Sequence, residues 1–395
     1  MYRLRDEYRR SQAAIAALFC CLGFQYATWV SRIPALKTRL DLSEAELGLL
    51  LMVCGAGAAL SFPLVAVLTR RFGSRRLAVG SALALGAVLL ALSVTPNYAV
   101  TLLIVCCDGV AVGCLNVAMN AQAAALEVKY RRTTMAKMHA TFSAGSLFAA
   151  LLASGVTSLS SALPAHFLTA TALLAALVLA ASGGLLTEDQ SPAEQAESSD
   201  SDPAAGERRK GLTLPTRVTI WMGLAMAFGT VTEGAMNDWS ALYLKDTAGA
   251  AAELAPLGIA VVSVMMVLAR LFADGWRTKW GDERIVRVGS VLAGAGLALA
   301  LLAGGVVPAL LGFACVGLGI AAVTPCVYVA AARQGSDALA LVAAMGTTGL
   351  LGGPAVIGFI ANGTSLAWGM GAVAASALVV ALCSTRIRFP ALTPA

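Results

Sequence analysis

The stretch TRRFGSRR, Thr69 to Arg76, has a counterpart in RTKWGDER, Arg277 to Arg284: both are basic, and both set a glycine directly after an aromatic residue. Gly73 and Gly281 stand 208 positions apart. A second landmark, Trp29 with Trp239, recurs at 210. Each basic stretch closes one long apolar run and opens the next. Two unrelated markers at nearly one offset predict an internal repeat, with two parallel halves of the same design.

The runs around those loops decide the environment. Hydrophobic residues make up 58% of the chain and charged residues 13%, with a mean hydropathy of +0.78; soluble domains carry about a quarter charged residues. The chain therefore reads as an all-α integral membrane protein. A hydrocarbon core of about 30 Å needs roughly 20 apolar residues in a helix, and twelve such spans are present. They lie near 12–36, 45–69, 77–95, 98–126, 135–160 and 164–187, then 216–244, 254–274, 285–305, 307–332, 338–361 and 365–385. The thinnest separations fall at Pro96-Asn97, Val306 and Asn362-Gly363.

An even count puts both termini on one side. Alternate loops give that side 23 of the 28 basic residues, among them Arg70, Arg71, Arg75, Arg76, Arg277 and Arg284, while the other side receives Lys37, Arg39 and Lys245. By the positive-inside rule both termini are expected in the cytoplasm of a bacterial cell. Residues 188–214 are polar, acidic and rich in Ser, Pro and Ala, a composition that cannot bury enough apolar area to order itself. They read as a cytoplasmic linker between an N-terminal six-helix half, 1–187, and a C-terminal one, 215–395.

The nine cysteines sit in apolar runs without the spacing or histidines of a zinc site, and read as small buried hydrophobes; no metal and no cofactor are expected. A net charge of +6 needs no nucleic acid to explain it in a membrane protein, where the position of the basic residues matters more than their sum. The first run is too long for the core of a cleaved signal peptide. No P-loop or hydrolytic triad is present, so enzymatic activity and primary pumping are disfavoured. Parallel six-helix repeats with a site near the midplane recur among secondary transporters.

At this point the chain resembles the major facilitator superfamily over nearly its whole length. Arg71, Gly73, Arg75 and Arg76 look like the superfamily's G-x-x-x-D-R-x-G-R-R loop, with Arg70 where the acidic residue belongs and Ala66 at the first glycine. The eighth span keeps the acidic position at Asp274, with Arg270 one turn before it, so the resemblance implies an inner latch intact in the second copy and degraded in the first. WVSRIPALK (Trp29 to Lys37), LNVAMNAQAAALE (Leu115 to Glu127) and EGAMNDWSALYL (Glu233 to Leu244) further resemble a bacterial branch labelled fucose-permease-like. In the superfamily's sugar permeases a carboxylate in span one can partner one in span four; here span one offers Gln25.

Ionisable groups inside spans cost at least a few kcal/mol and face protein or water. Asp108, about ten residues into span four, is the expected proton carrier, because a carboxyl in an apolar pocket can load and release a proton as access alternates. Asn116, Asn120 and Gln122 follow toward the cytoplasm, as solute contacts or as ties between helices. Span seven lines up Thr230, Glu233, Asn237 and Ser240 on one helical face, with Glu233 a second coupling candidate in the outer half. Span one matches it with Gln25, Thr28, Trp29 and Arg32. Arg32 either snorkels outward or pairs with Glu233 or Asp238 to close an outer gate. Asp238 itself reads as a surface or gate charge. Thr324 and Tyr328 flank Pro325 in span ten, where a bend would turn them to the cavity. His166 falls in an outer loop.

The expected activity is alternating-access transport of a small polar or amphipathic organic solute, proton-coupled and leaning to efflux, by a monomer in contact with membrane lipid. A fucose-like uptake symporter is the alternative. A receptor that kept the fold but lost transport is the reading from another class.

Overall fold

The computed structural model describes residues 2–130, 134–187, 216–387 and 389. The first half of the chain forms α1 (Tyr2–Val30), α2 (Ile33–Leu40), α3 (Glu44–Ser93), α4 (Tyr98–Tyr130), α5 (Met135–Leu159) and α6 (Leu163–Ser182). The second forms α7 (Arg217–Asp246), α8 (Leu257–Trp280), α9 (Asp282–Ala303), α10 (Val306–Ile320), α11 (Val323–Ala332), α12 (Ser336–Gly363) and α13 (Leu366–Ser384). The expected linker, Arg131, Arg132 and the side chain of Asp274 lie outside the described residues.

Counting helices as spans needs three adjustments: the short α2 only extends span one, and the other two have a local cause. Helix α3 is two spans run together, bent at Gly73, whose backbone sits at φ 77° and ψ 159°. Helices α10 and α11 are one span broken at Ala321-Ala322, four residues before the expected bend at Pro325. Ten helical stretches among the described residues are long and apolar enough to cross a bilayer, and Leu257–Ala273 is a shorter apolar helix. Helix α7 is missing from that set because Glu233, Asn237 and Asp238 interrupt its apolar character.

The repeat is visible in the backbone. Gly281 adopts φ 79° and ψ 152°, nearly the values of Gly73. Both lie at positive φ, where an L side chain crowds its own backbone, so the glycine in each basic loop is a conformational requirement. Trp29 and Trp239 are both buried, and in both the indole N–H meets no acceptor.

Helices α3 and α4 touch almost backbone to backbone. A Cβ on Gly109 would lie 1.9 Å from the Cys54 carbonyl oxygen, and one on Gly57 would lie 2.3 Å from that of Cys106. Van der Waals packing of small residues replaces the hydrophobic drive that lipid cannot supply. It also brings Cys54 under Asp108.

The start of α3 is fixed by a capping box: Ser43 Oγ accepts from the Glu46 amide, and Glu46 Oε2 accepts from the Ser43 amide at 2.8 Å. Helix α2 is a short extension of span one that ends on Asp41 in the left-handed region. It carries Lys37 and Thr38 across the face opposite the N-terminus.

Candidate functional site

On that opposite face the two halves of the chain are joined. Lys37 Nζ pairs with Glu44 at 2.9 Å and with Asp246, at the end of α7, at 3.1 Å. Lys245 Nζ donates to Thr38 Oγ1 at 3.2 Å, and the Ser154 hydroxyl donates to the Glu253 carbonyl. Helices α3 and α12 meet at Gly48 and Gly358: a Cβ on Gly358 would lie 2.5 Å from the Glu44 carbonyl oxygen. Deeper, Tyr26 donates to Asp238 Oδ1 between α1 and α7. Deeper still, Arg270 Nη1 on α8 donates to Ser143 Oγ on α5 at 3.1 Å.

Directly beside Tyr26, Gln25 reaches the other buried carboxyl. Its Nε2 donates to Asp108 Oδ1 at 2.7 Å, and both residues are wholly enclosed at 0% exposure. The Cys54 thiol approaches Asp108 Oδ2 at 3.6 Å. Gln25 Oε1 accepts nothing. No lysine, arginine or histidine pairs with Asp108 or Asp238 among the described residues. A carboxylate held this way is costly to bury, since neutral donors return only part of its hydration.

Glu233 is handled differently. Arg270 Nη2 pairs with Glu233 Oε1 at 3.1 Å, and both side chains stay about one-third exposed. For an ion pair exposed to this degree, attraction and screening nearly balance. Nearer the N-terminal face, exposed Asn116 and half-buried Asn120 lie beyond the level of Asp108 on α4, with Asn120 Nδ2 donating to Asn116 Oδ1 at 2.9 Å. Tyr328, Thr324 and Asn237 are half-buried. Together these groups supply hydroxyl and amide contacts with one compensated charge pair.

Several expectations need correction. Thr28 does not line a cavity: its hydroxyl turns back to the Phe24 carbonyl at 2.6 Å and is fully buried, as is usual for a helical threonine denied water. Trp29 is likewise buried, neither anchoring at an interface nor open to a solute, and meets Tyr26 edge to face at 6.5 Å between ring centres. Ser240 packs against Gly258. Asp238 is no surface charge, being 5% exposed. Thr230 bonds the Gly346 carbonyl at 2.8 Å and ties α7 to α12. Gln122, by contrast, takes one of its two expected roles, the tie between helices, holding Ser74 at 2.7 Å and the Leu186 backbone. Arg71 is exposed over the Phe72 ring. His166 is fully buried in the first turn of α6, not in a loop.

Arg32 pairs with neither Glu233 nor Asp238 and does not snorkel. Helix α1 ends at Val30, so the following turn swings the guanidinium toward α5, where it donates to Thr157 Oγ1 and the Ser161 carbonyl. It fastens two helices of the same half. Arg32→Ala removes two charge-assisted bonds and is expected to cost about 3 kcal/mol of stability, read as a lower unfolding midpoint in detergent; an unchanged midpoint would discard this role.

Tyr26 and Cys54 were not singled out in the sequence as site residues. The signal for Tyr26 was indirect: an aspartate inside span seven with no cation within a turn of it on its own helix calls for a donor from a facing one.

Residues 14–337 match the Major Facilitator Superfamily. An uncharacterized MFS-type transporter of Yersinia pestis is 33% identical over 384 residues, covering 94% of each chain. Among solved structures, the nucleoside transporter NupG superposes with a TM-score of 0.69 at 16% identity, over 96% of this chain and 98% of its own. A bacterial homolog of the human lysosomal transporter Spinster, inward-facing and occupied, gives 0.69 at 14% over 96% of both chains. The transporter FucP in its outward conformation gives 0.59 at 16%, over 97% of this chain and all of that one.

Proposed function

The chain belongs to the Major Facilitator Superfamily, a multi-pass secondary transporter of the bacterial inner membrane with that superfamily's twelve-helix fold, and from that premise we propose that it couples proton movement to transfer of a small polar or amphipathic organic solute. The observation that carries the coupling is the Gln25–Asp108 pair. Ionised Asp108 is held by one amide N–H and a weak thiol donor. Once protonated it becomes a donor, and Gln25 Oε1, buried and without a partner, is an acceptor left free on the neighbouring side chain. One site thus accommodates both protonation states, which a carrier that loads and unloads a proton requires.

The basic loops place the termini in the cytoplasm in this reading, so the joined face is periplasmic and the half-exposed polar groups between the halves are reached from inside. Residues 1–187 and 215–395 rock as two bodies about the cavity, linked by 188–214. Glu233 and Arg270 compensate each other's charge, which suits them to solute contact and leaves the proton to Asp108. Asn116, Asn120, Asn237, Thr324 and Tyr328 supply the remaining polar contacts, while Gln25, wholly enclosed, serves the proton site and not the solute. Asp238 and Arg270 bridge the halves and act as gates; Arg71, Gly73 and Asp274 set the inner loops. Export is the proposed direction, because among the described residues around Glu233 and Asp108 the one cation, Arg270, is already paired with Glu233 and leaves none for an anionic nutrient.

A second reading, uptake of a neutral sugar, is favoured by one feature: the paired polar groups come from spans one and four. Purified protein in liposomes distinguishes the readings. Counterflow of labelled nucleosides and neutral sugars, with a pH gradient of either sign, is expected to show solute flux that follows the proton gradient, outward-equivalent for antiport and inward-equivalent for symport. Flux indifferent to the gradient would sink the coupling, and solute binding without any flux would favour the receptor.

A further inference from the structure

The end of α8 and the start of α9 carry a surface that solute transport does not use. Phe272, Trp276 and Trp280 stack along α8, with ring centres 5.9 and 6.3 Å apart and planes within 27°. Trp276 and Trp280 wall an apolar groove of about 440 Å³ completed by Ile285, Val288 and Leu318. Trp280 is 47% exposed and Val288 58%. A second cavity of about 500 Å³ adjoins it, sharing Trp280, Arg284 and Val288, and is polar where the first is not.

Across residues 277–287 the acidic side chains of Asp282 and Glu283 are both taken. Asp282 is held by Arg277 through two bonds, at 2.8 and 3.1 Å, and Glu283 pairs with Arg287. Arg284, which lines both cavities, has no carboxylate partner among the described residues, and Lys279 Nζ sits 5.5 Å from the Trp280 ring centre. The groove therefore joins an apolar trough to an uncompensated cationic rim, with tryptophans at the seam. That is the polarity profile of a lipid leaflet boundary, where indoles settle at headgroup depth and basic pockets between helices hold anionic headgroups.

We propose that this groove binds an anionic phospholipid, with an acyl chain along Trp276, Val288 and Leu318 and the phosphate against Arg284 and Lys279. The cationic rim selects a headgroup of net negative charge over a zwitterionic one. The assignment does not depend on what is transported.

The test is quenching of tryptophan fluorescence by brominated lipids in reconstituted full-length protein. Dibrominated phosphatidylglycerol is expected to quench more than dibrominated phosphatidylcholine at equal mole fraction, with a roughly fivefold drop in that preference in Arg284→Gln. The excess should disappear in Trp276→Phe/Trp280→Phe, and high salt should weaken it. Equal quenching by the two lipids overturns the proposal, as does a preference that Arg284→Gln leaves intact. The chain's own acidic stretch, 188–214, is the competing occupant. If deleting 190–210 is needed before any lipid preference emerges, the groove belongs to that stretch and the lipid assignment fails; a preference present in the intact chain supports it.

Discussion

Asp108→Asn is expected to leave solute exchange running and to abolish its dependence on the proton gradient. The substitution keeps the shape of the side chain. Asn Oδ1 can still accept from Gln25 Nε2, and its amide can donate to Gln25 Oε1, the oxygen that has no partner in the wild type. Asparagine therefore resembles the protonated acid and cannot release the proton. A pH difference of one unit can sustain roughly tenfold accumulation through one coupled proton; the variant should reach none, while counterflow at equal pH persists. Glu233→Gln serves as the contrast. It frees Arg270 from its pair and should weaken solute affinity or turnover, yet accumulation per unit of pH should survive. If Asp108→Asn accumulates solute as the wild type does, the proton is carried elsewhere.

The difference between these two carboxylates was only partly legible in the sequence. Asp108 stands in an unbroken apolar run, so its burial could be read from composition. Glu233 also stands within a span, and nothing local says that Arg270 reaches it from the next helix. The twelve spans, the repeat at Gly73 and Gly281 and the polar interruptions of α7 were readable because they depend on periodicity and length along one chain. Facing relations are harder. Thr28 and Trp29 share a helical stripe with Gln25, but Thr28 bonds its own backbone and Trp29 is covered by neighbouring helices. Arg32 was misread because α1 stops at Val30, two residues before it, and the chain turns there before α2 starts at Ile33. Once the helix ends, helical spacing no longer says where a side chain points. Cys54 was read as a filler, and the near-contact of α3 with α4 at Gly109 is what brings its thiol to Asp108.

Tyr26→Phe is expected to shift the protein out of the conformation described here. The Tyr26 hydroxyl is the hydrogen-bond donor to Asp238 from the opposite half, and Asp238 is nearly enclosed. Removing the hydroxyl leaves a buried carboxylate oxygen unsatisfied only while the halves are joined on this face. Opening that face lets water reach it, so the loss weighs on one state alone, which is the condition for a population shift. A penalty of about 2 kcal/mol moves the ratio of states roughly thirtyfold. Spin labels introduced by Asp41→Cys and Ala251→Cys, on exposed loops of the two halves at that face, should report a longer-distance population in Tyr26→Phe. Asp238→Asn retains an acceptor for the tyrosine and should stay close to the wild-type distribution. Tyr26→Phe combined with Asp238→Leu removes both polar partners and should restore much of the short distance, because two apolar groups can meet without the penalty. A distance distribution unmoved by Tyr26→Phe would mean that the ion pairs of Lys37 and the glycine contacts of α3 with α12 hold this face shut by themselves, with Asp238 merely buried behind them.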